Sequence, residues 1–132
     1  MITGFPGESD ADFAQSLEFI RAAAFSDMHI FPFSPRPGTR AAEMPGQTEK
    51  SVRRSRAQIA AGIAESMALE FKLGQVGKTA EVLFERKRGG LWVGHSENYL
   101  EVAAKKGGAK NSIRNVKITD VHNGQPQGEI IC

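Results

Sequence analysis

Cysteine is almost absent: Cys132, the last of 132 residues, is the only one. One thiol makes no internal disulfide and supplies no multi-cysteine cluster site. Long apolar runs are missing as well. No stretch approaches the roughly 18 residues of a membrane span. The first residues lack the basic start and apolar core of a secretory signal. A cytoplasmic location without membrane contact is therefore expected. Histidine is scarce too, and His29 has no cysteine or second histidine at ligand spacing, so it reads as a structural histidine rather than a metal ligand. His122 lies beside Asn123-Gly124 and reads as a surface residue.

What is present fits an ordinary folded chain. Hydrophobic residues make up 40% and charged residues 24%, so neither disorder nor a membrane protein is indicated. The length suits one medium or two small domains. The net charge of +2 hides a gradient. Residues 1–48 carry three basic and six acidic side chains, 49–75 five and three, and 76–132 nine and six. Such a drift suggests different work at the two ends, with a plain solvated surface as the alternative.

Two stretches near the start share one pattern. Ile2-Thr3-Gly4-Phe5-Pro6-Gly7-Glu8 is an apolar strand end entering a Gly/Pro turn. His29-Ile30-Phe31-Pro32-Phe33 is a short apolar strand, followed by the stiff loop Ser34-Pro35-Arg36-Pro37-Gly38-Thr39. Between them, Phe13, Leu17, Ile20 and Ala24 give one helical stripe. Ser9 and Asp12 approximate a capping box. The unit is β-loop-α-β, with both loops past strand ends, where α/β folds bind ligands. Two strands bury too little surface alone, and a chain that opens inside a strand pattern is expected to be a fragment. A long helix is expected next, capped by Thr48, running to about residue 73 and closed by Gly74 as its C′ residue. Val52, Ile59, Ile63 and Met67 are its expected apolar stripe. Lys50, Arg53, Arg54 and Arg56 crowd its first two turns, as a solvated face or a patch facing phosphates.

From Val76 onward the pattern turns to strands. They are expected at 79–85, 91–95, 99–103, 116–121 and 127–131, with hairpin turns near Gly89-Gly90 and Asn123-Gly124. Five short strands in so few residues suggest a small antiparallel barrel. Trp92 reads as a core residue rather than a stacking platform.

The two early loops and the trailing Met44-Pro45-Gly46-Gln47 resemble the radical S-adenosylmethionine methylthiotransferases, over nearly the whole chain. The most similar subgroup is the tRNA threonylcarbamoyladenosine methylthiotransferases. Gly77-Lys78, Val82-Leu83, Gly94 to Tyr99 and Gly128-Glu129 resemble the TRAM domain, a small RNA-binding β-barrel that follows the radical domain in that family. The fold class so implied is α+β. Residues 1–47 are the end of an α/β radical-SAM barrel, 48–75 a connecting helix, and 76–132 a five-stranded TRAM-type barrel.

The resemblance implies a C-terminal portion of an enzyme that adds a methylthio group to a modified adenosine, threonylcarbamoyladenosine, beside the tRNA anticodon. The alternatives are a standalone RNA-binding TRAM module, or a fragment of a sister methylthiotransferase acting on another modified adenosine or a ribosomal protein. The family uses S-adenosylmethionine and two 4Fe-4S clusters. None of the cluster cysteines is in this sequence, so no metal site, no catalytic residue and no activity of the isolated chain are expected. Gly4, Phe5, Pro6, Gly7 and Glu8 match the turn near S-adenosylmethionine, or are an ordinary strand-to-helix turn. Ser34, Arg36 and Thr39 match the substrate-side loop, with a surface arginine as the plain alternative. His95, Asn98 and Tyr99 offer hydrogen bonds and a ring to unpaired bases, or a loop network supporting the barrel. Arg86, Lys87, Arg88, Lys105, Lys106, Lys110 and Arg114 are expected to form one basic rim toward phosphates. The partners implied are tRNA and the remainder of the radical-SAM barrel.

Overall fold

The computed structural model describes residues 1–131 and groups the chain into two compact units, dividing after Ala68. Cys132 lies outside the described residues. The first unit opens with β1 (Ile2–Thr3), α1 (Asp10–Ala23), β2 (Phe31–Pro32) and the short α2 (Arg40–Glu43). The long α3 (Lys50–Leu73) runs from the first unit into the second. The second unit adds β3 (Thr79–Arg88), β4 (Leu91–Ser96), β5 (Glu101–Ala104), β6 (Ser112–His122) and β7 (Gln125–Ile130).

In the first unit, β1 and β2 pair in parallel, Ile2 with Phe31 and Thr3 with Pro32. Two strands are all that this sheet contains, and the chain by itself forms no α/β barrel. The ladder spares the Pro32 nitrogen, because the donors are Phe31, to the Met1 carbonyl, and Phe33, to the Thr3 carbonyl. The strand expected over His29–Phe33 thus shrinks to its middle: three prolines in six positions cannot sustain a ladder.

Helix α1 begins as its sequence dictates. Ser9 Oγ accepts from the Asp12 amide at 3.1 Å, and Asp12 Oδ2 accepts from the Ser9 amide at 2.9 Å. Phe13 and Ile20 are buried and Leu17 half-buried, while Ala24 ends the helix left-handed and exposed. The bonds from Ser9 hold the Asp12 carboxyl below its ordinary 3.8. A lowered carboxyl stabilises the folded state above its unfolded pKa, and that contribution is lost as pH falls through the folded value. We expect the Ser9 and Asp12 amide resonances to titrate together, with a midpoint under 3.8. A midpoint at or above that value means that the box is not formed in solution.

Helix α3 departs from expectation at both ends and along its length. It starts at Lys50, and the Glu49 carbonyl accepts from the Arg53 amide, so Thr48 stands one residue too early to cap it. At the other end Gly74 is not left-handed. Its amide reaches the Glu70 carbonyl, two tighter bonds follow, and the left-handed residue is Gly77. The buried face is Arg56, Ala60, Ala64 and Met67, whereas Val52 and Ile59 are exposed. Of the expected stripe Met67 is buried and Ile63 half-buried, while Ala60 and Ala64 take the inward places expected of Val52 and Ile59.

The second unit closes into a barrel in the order β3-β4-β5-β7-β6, with only β5 and β7 parallel. Val82, Phe84, Val102, Val116 and Ile118 fill it, with Leu100 and Ala104, and Phe71 and Trp92 pack at its margin. Several expected strand limits move. β3 runs three residues further, to Arg88, so Arg86, Lys87 and Arg88 pair with β4 instead of forming the hairpin turn. Tyr99 is left-handed and lies outside β5; β6 starts four residues earlier, at Ser112; β7 starts at Gln125. Ser112–Asn115 were missed because strand pairing with β3, not apolar alternation, holds them.

Candidate functional site

The turn after β1 and the loop after β2 leave the same edge of the parallel pair. Phe5 and Phe33, one from each, meet edge to face at 5.2 Å. The turn is bound tightly to its own chain. Glu8 Oε1 accepts from the Gly4 amide at 2.9 Å, the Gly7 amide donates to the Gly46 carbonyl at 2.9 Å, and the Glu8 amide donates to Phe5. A Cβ on Gly4 would overlap Arg53 Cγ, so glycine is required by the close passage of α3.

Arg56 locks this arrangement. It is 7% exposed and donates to the Glu8 carboxylate at 2.6 Å, the Glu8 carbonyl at 2.9 Å and Asp10 at 2.7 Å, with its guanidinium over the Phe13 ring. The Asp10 hydrogen bond raises its pKa above the ordinary arginine value, with Glu8 adding to the effect and burial opposing it. Glu8 and the Gly4, Gly7 and Glu8 amides are therefore spent within the chain. The faces left to a ligand are the Phe5 ring, which is exposed, and the turn's outer surface. Arg56 is also removed from the basic cluster expected on α3: it is a buried partner, not a solvated charge.

In the second loop the three candidates separate. Thr39 Oγ1 donates to the Arg36 carbonyl at 2.8 Å and closes the loop on itself. The Arg36 side chain is exposed. Ser34 lies toward α3, in a pocket with Arg53 and Arg54.

On the barrel, the expected continuous rim is broken. Arg86 and Arg88 both pair with Glu101, at 2.9 and 2.7 Å, and Arg88 also donates to Gln125. Two of the seven cations thus share one carboxylate, which sequence proximity gave no means of foreseeing. Lys87 lies over the Trp92 ring. Lys105 and Lys106 line a pocket of about 530 Å³ with Thr119, Gln127 and Glu129. Lys110 and Arg114 are exposed.

The base-contact trio is also divided. His95 Nδ1 is 2.7 Å from Glu85 Oε2. Asn98 Oδ1 accepts from Ser96 Oγ at 2.6 Å, leaving only its amide hydrogens free of that bond. Tyr99 is different: its backbone is left-handed (φ +63°) and its ring is 90% exposed. Ser96 holds the loop in this shape, its carbonyl accepting from Tyr99 and its buried hydroxyl accepting from the Leu100 amide. A bulky residue in this region costs about 1 kcal/mol or more. The loop thus holds an unpacked aromatic ring in solvent by means of a buried serine.

Known proteins resemble this chain in sequence. The chain is 37% identical over 117 residues to the threonylcarbamoyladenosine tRNA methylthiotransferase of Thermotoga maritima, covering 86% of this chain and 27% of that protein. It is 30% identical to the Bacillus subtilis protein of the same name, covering 98% of this chain and 30% of the relative. The chain belongs to the radical S-adenosylmethionine methylthiotransferase family. A tRNA-2-methylthio-N(6)-dimethylallyladenosine synthase from Mycobacterium sp. (strain MCS) is 45% identical over 63% of this chain and 16% of its own length. The chain therefore spans less than a third of the length of these methylthiotransferases. No family model matches it.

Iron–sulfur clusters are held by thiolates, and the sequence contains one cysteine. Among the described residues no group of three His, Cys, Asp or Glu is arranged to hold a metal. The residues of this chain do not fit a cluster site, and no chemical step is assigned to them. Among the described residues no helix is long and apolar enough to cross a membrane.

Proposed function

We propose that this chain is the C-terminal portion of a tRNA methylthiotransferase, contributing tRNA binding and part of the active-site wall. The observation that carries the proposal is the closed five-stranded barrel with its held, 90% exposed Tyr99, in a chain whose relatives bear tRNA-modifying names. The barrel is a TRAM-type RNA-binding domain in this reading. The β1-α1-β2 unit completes a radical-SAM barrel whose remaining strands, clusters and S-adenosylmethionine lie in the rest of the enzyme. Exposed Ile2, Phe19 and Phe31 support this, since they leave apolar surface for such a neighbour. Phe5 and Arg36 form the wall toward cofactor and substrate, while Pro6 is buried within the turn. Ser34 stands at its edge, while Gly4, Gly7, Glu8 and Thr39 hold the loops in shape.

The substrate we propose is threonylcarbamoyladenosine in tRNA. Relatives named for it align over 86% and 98% of this chain, against 63% for the Mycobacterium synthase. The higher identity of that synthase supports a dimethylallyladenosine substrate as the second reading. Mass spectrometry of tRNA nucleosides from a strain lacking the gene decides. Loss of the methylthio group from threonylcarbamoyladenosine is the expected result, and its loss from the dimethylallyl nucleoside overturns the assignment.

RNA contact is tested on the chain itself. Lys105 and Lys106 face phosphates, so changing both to Ala should weaken binding to all tRNAs alike. It should also lower the slope of log K against log salt by about 0.7 to 0.9 for each lost contact. Tyr99→Ala should cost about 1 to 3 kcal/mol with the salt slope unchanged. Equal affinity of the lysine variant and the parent at every salt concentration removes those lysines from the interface.

A further inference from the structure

Removing Arg56 from the basic cluster leaves three cations at the start of α3, and these line a cavity. The cavity, about 340 Å³, is formed by Lys50, Arg53 and Arg54 from the helix, by Pro32 of β2 and by Phe33, Ser34 and Pro35 from the loop that follows. Its side chains carry three positive charges. Among the described residues none of the three lysine or arginine groups forms an ion pair. The first turn of α3 contains no acidic residue, so the helix dipole adds to that positive potential, with Glu49 before it as the one acidic neighbour in sequence.

Arg53 is the fixed element. Its Nη1 donates to the Phe33 carbonyl at 2.8 Å, and its guanidinium lies 5.9 Å from the Phe33 ring centroid. Its buried Nε has no partner within the chain. An unpaired buried donor costs free energy that the protein here does not recover internally. Gly4 packs on its stem, so the side chain is held where it is. Lys50 and Arg54 are exposed, and Ser34 adds a hydroxyl.

We propose that this cavity is a phosphate-binding site that takes a backbone phosphodiester of a nucleic acid. A single tetrahedral oxyanion matches the chemistry: a planar fork held in place, two flexible cations, one hydroxyl and a helix start. Residues 1–48, which supply the opposite wall, are net acidic, so the positive charge of the cavity comes from the start of α3 alone. Identification of the phosphodiester as tRNA rests on the function proposed above, whereas the anion site stands on the geometry alone.

The test uses the full chain and the variant K50Q/R54Q, which alters two exposed side chains and spares Arg53 and its packing. Inorganic phosphate is titrated while amide resonances of residues 34 and 50–54 are followed. Saturable shifts in the parent that disappear in the variant are expected. No saturable shift in the parent up to tens of millimolar phosphate overturns the site. Filter binding of unmodified tRNA then reads the nucleic-acid assignment. The variant should bind about tenfold more weakly at low salt, with the salt slope reduced by about 0.7 to 0.9. Phosphate shifts with unchanged tRNA binding overturn the phosphodiester assignment. If the parent binds no tRNA at all, the proposed function fails while the phosphate titration still decides the site.

Discussion

Gly94→Ala is expected to unfold the barrel or to bring it close to unfolding. Gly94 on β4 pairs with Phe84 on β3, and both are buried. A Cβ at Gly94 would overlap the Leu83 carbonyl oxygen and stand 2.6 Å from the Leu83 carbonyl carbon and 2.7 Å from Phe84 Cα. All three atoms are backbone, so no side chain can rotate away. The only relief is to separate β3 from β4, which breaks the ladder beside the largest core side chain. Overpacking ordinarily costs about 1–3 kcal/mol, and a backbone obstacle belongs at or above the top of that range. A small domain has about 5–15 kcal/mol in all. Urea unfolding followed by Trp92 fluorescence should therefore show a midpoint far below the parent's. Gly124→Ala, whose added carbon meets nothing but whose φ of +73° strains any side chain, is the control and should cost only about 1–2 kcal/mol. Equal midpoints for Gly94→Ala and the parent would show that the two strands do not approach this closely.

The second large effect is expected at Arg56. Its replacement by methionine keeps the length of the stem and removes the three hydrogen bonds to Glu8 and Asp10. Asp10 is fully exposed and returns to water at little cost. The Glu8 side chain is only 13% exposed and is left with the Gly4 amide. Breaking one side of a buried pair costs about 3–5 kcal/mol. With one of the two carboxylates free to rehydrate, the lower end, about 3 kcal/mol, is expected. Hydrogen exchange should rise across residues 4–20 while the barrel strands keep their protection. Glu8→Gln in the same chain should recover part of the loss, because the stranded charge is then gone. A double-mutant cycle with no coupling between the two positions would reduce Arg56 to a packing residue.

These effects show how differently the sequence bears on the two units. Local signals were legible wherever one short segment determines its own conformation. Ser9 and Asp12 form their box because both partners lie within four residues. The two hairpin turns lie where Gly89-Gly90 and Asn123-Gly124 put them. The barrel's strands were legible because each carries alternation or a turn at its end, whereas closure rests on the pairing of β3 with β6 and the parallel pairing of β5 with β7. The proline-rich loop was legible because φ is fixed residue by residue.

What only the tertiary structure decided is pairing across distance. Charges or hydroxyls of one type look alike in a sequence, and whether each is free or spent depends on what the chain brings against it. Arg56 and Arg53 stand three residues apart on one helix. One is enclosed by Glu8 and Asp10, 48 and 46 residues away, and the other opens a cavity beside Ser34. Arg86 and Arg88 read as a phosphate-facing turn until Glu101 arrives from another strand. The face that α3 buries was misjudged for the same reason: hydrophobicity favoured Val52 and Ile59, but close approach favours Ala60 and Ala64. Composition, capping and turn chemistry determined which elements form. Charge pairing and closeness of approach, properties of no single segment, determined which side chains remain for a ligand.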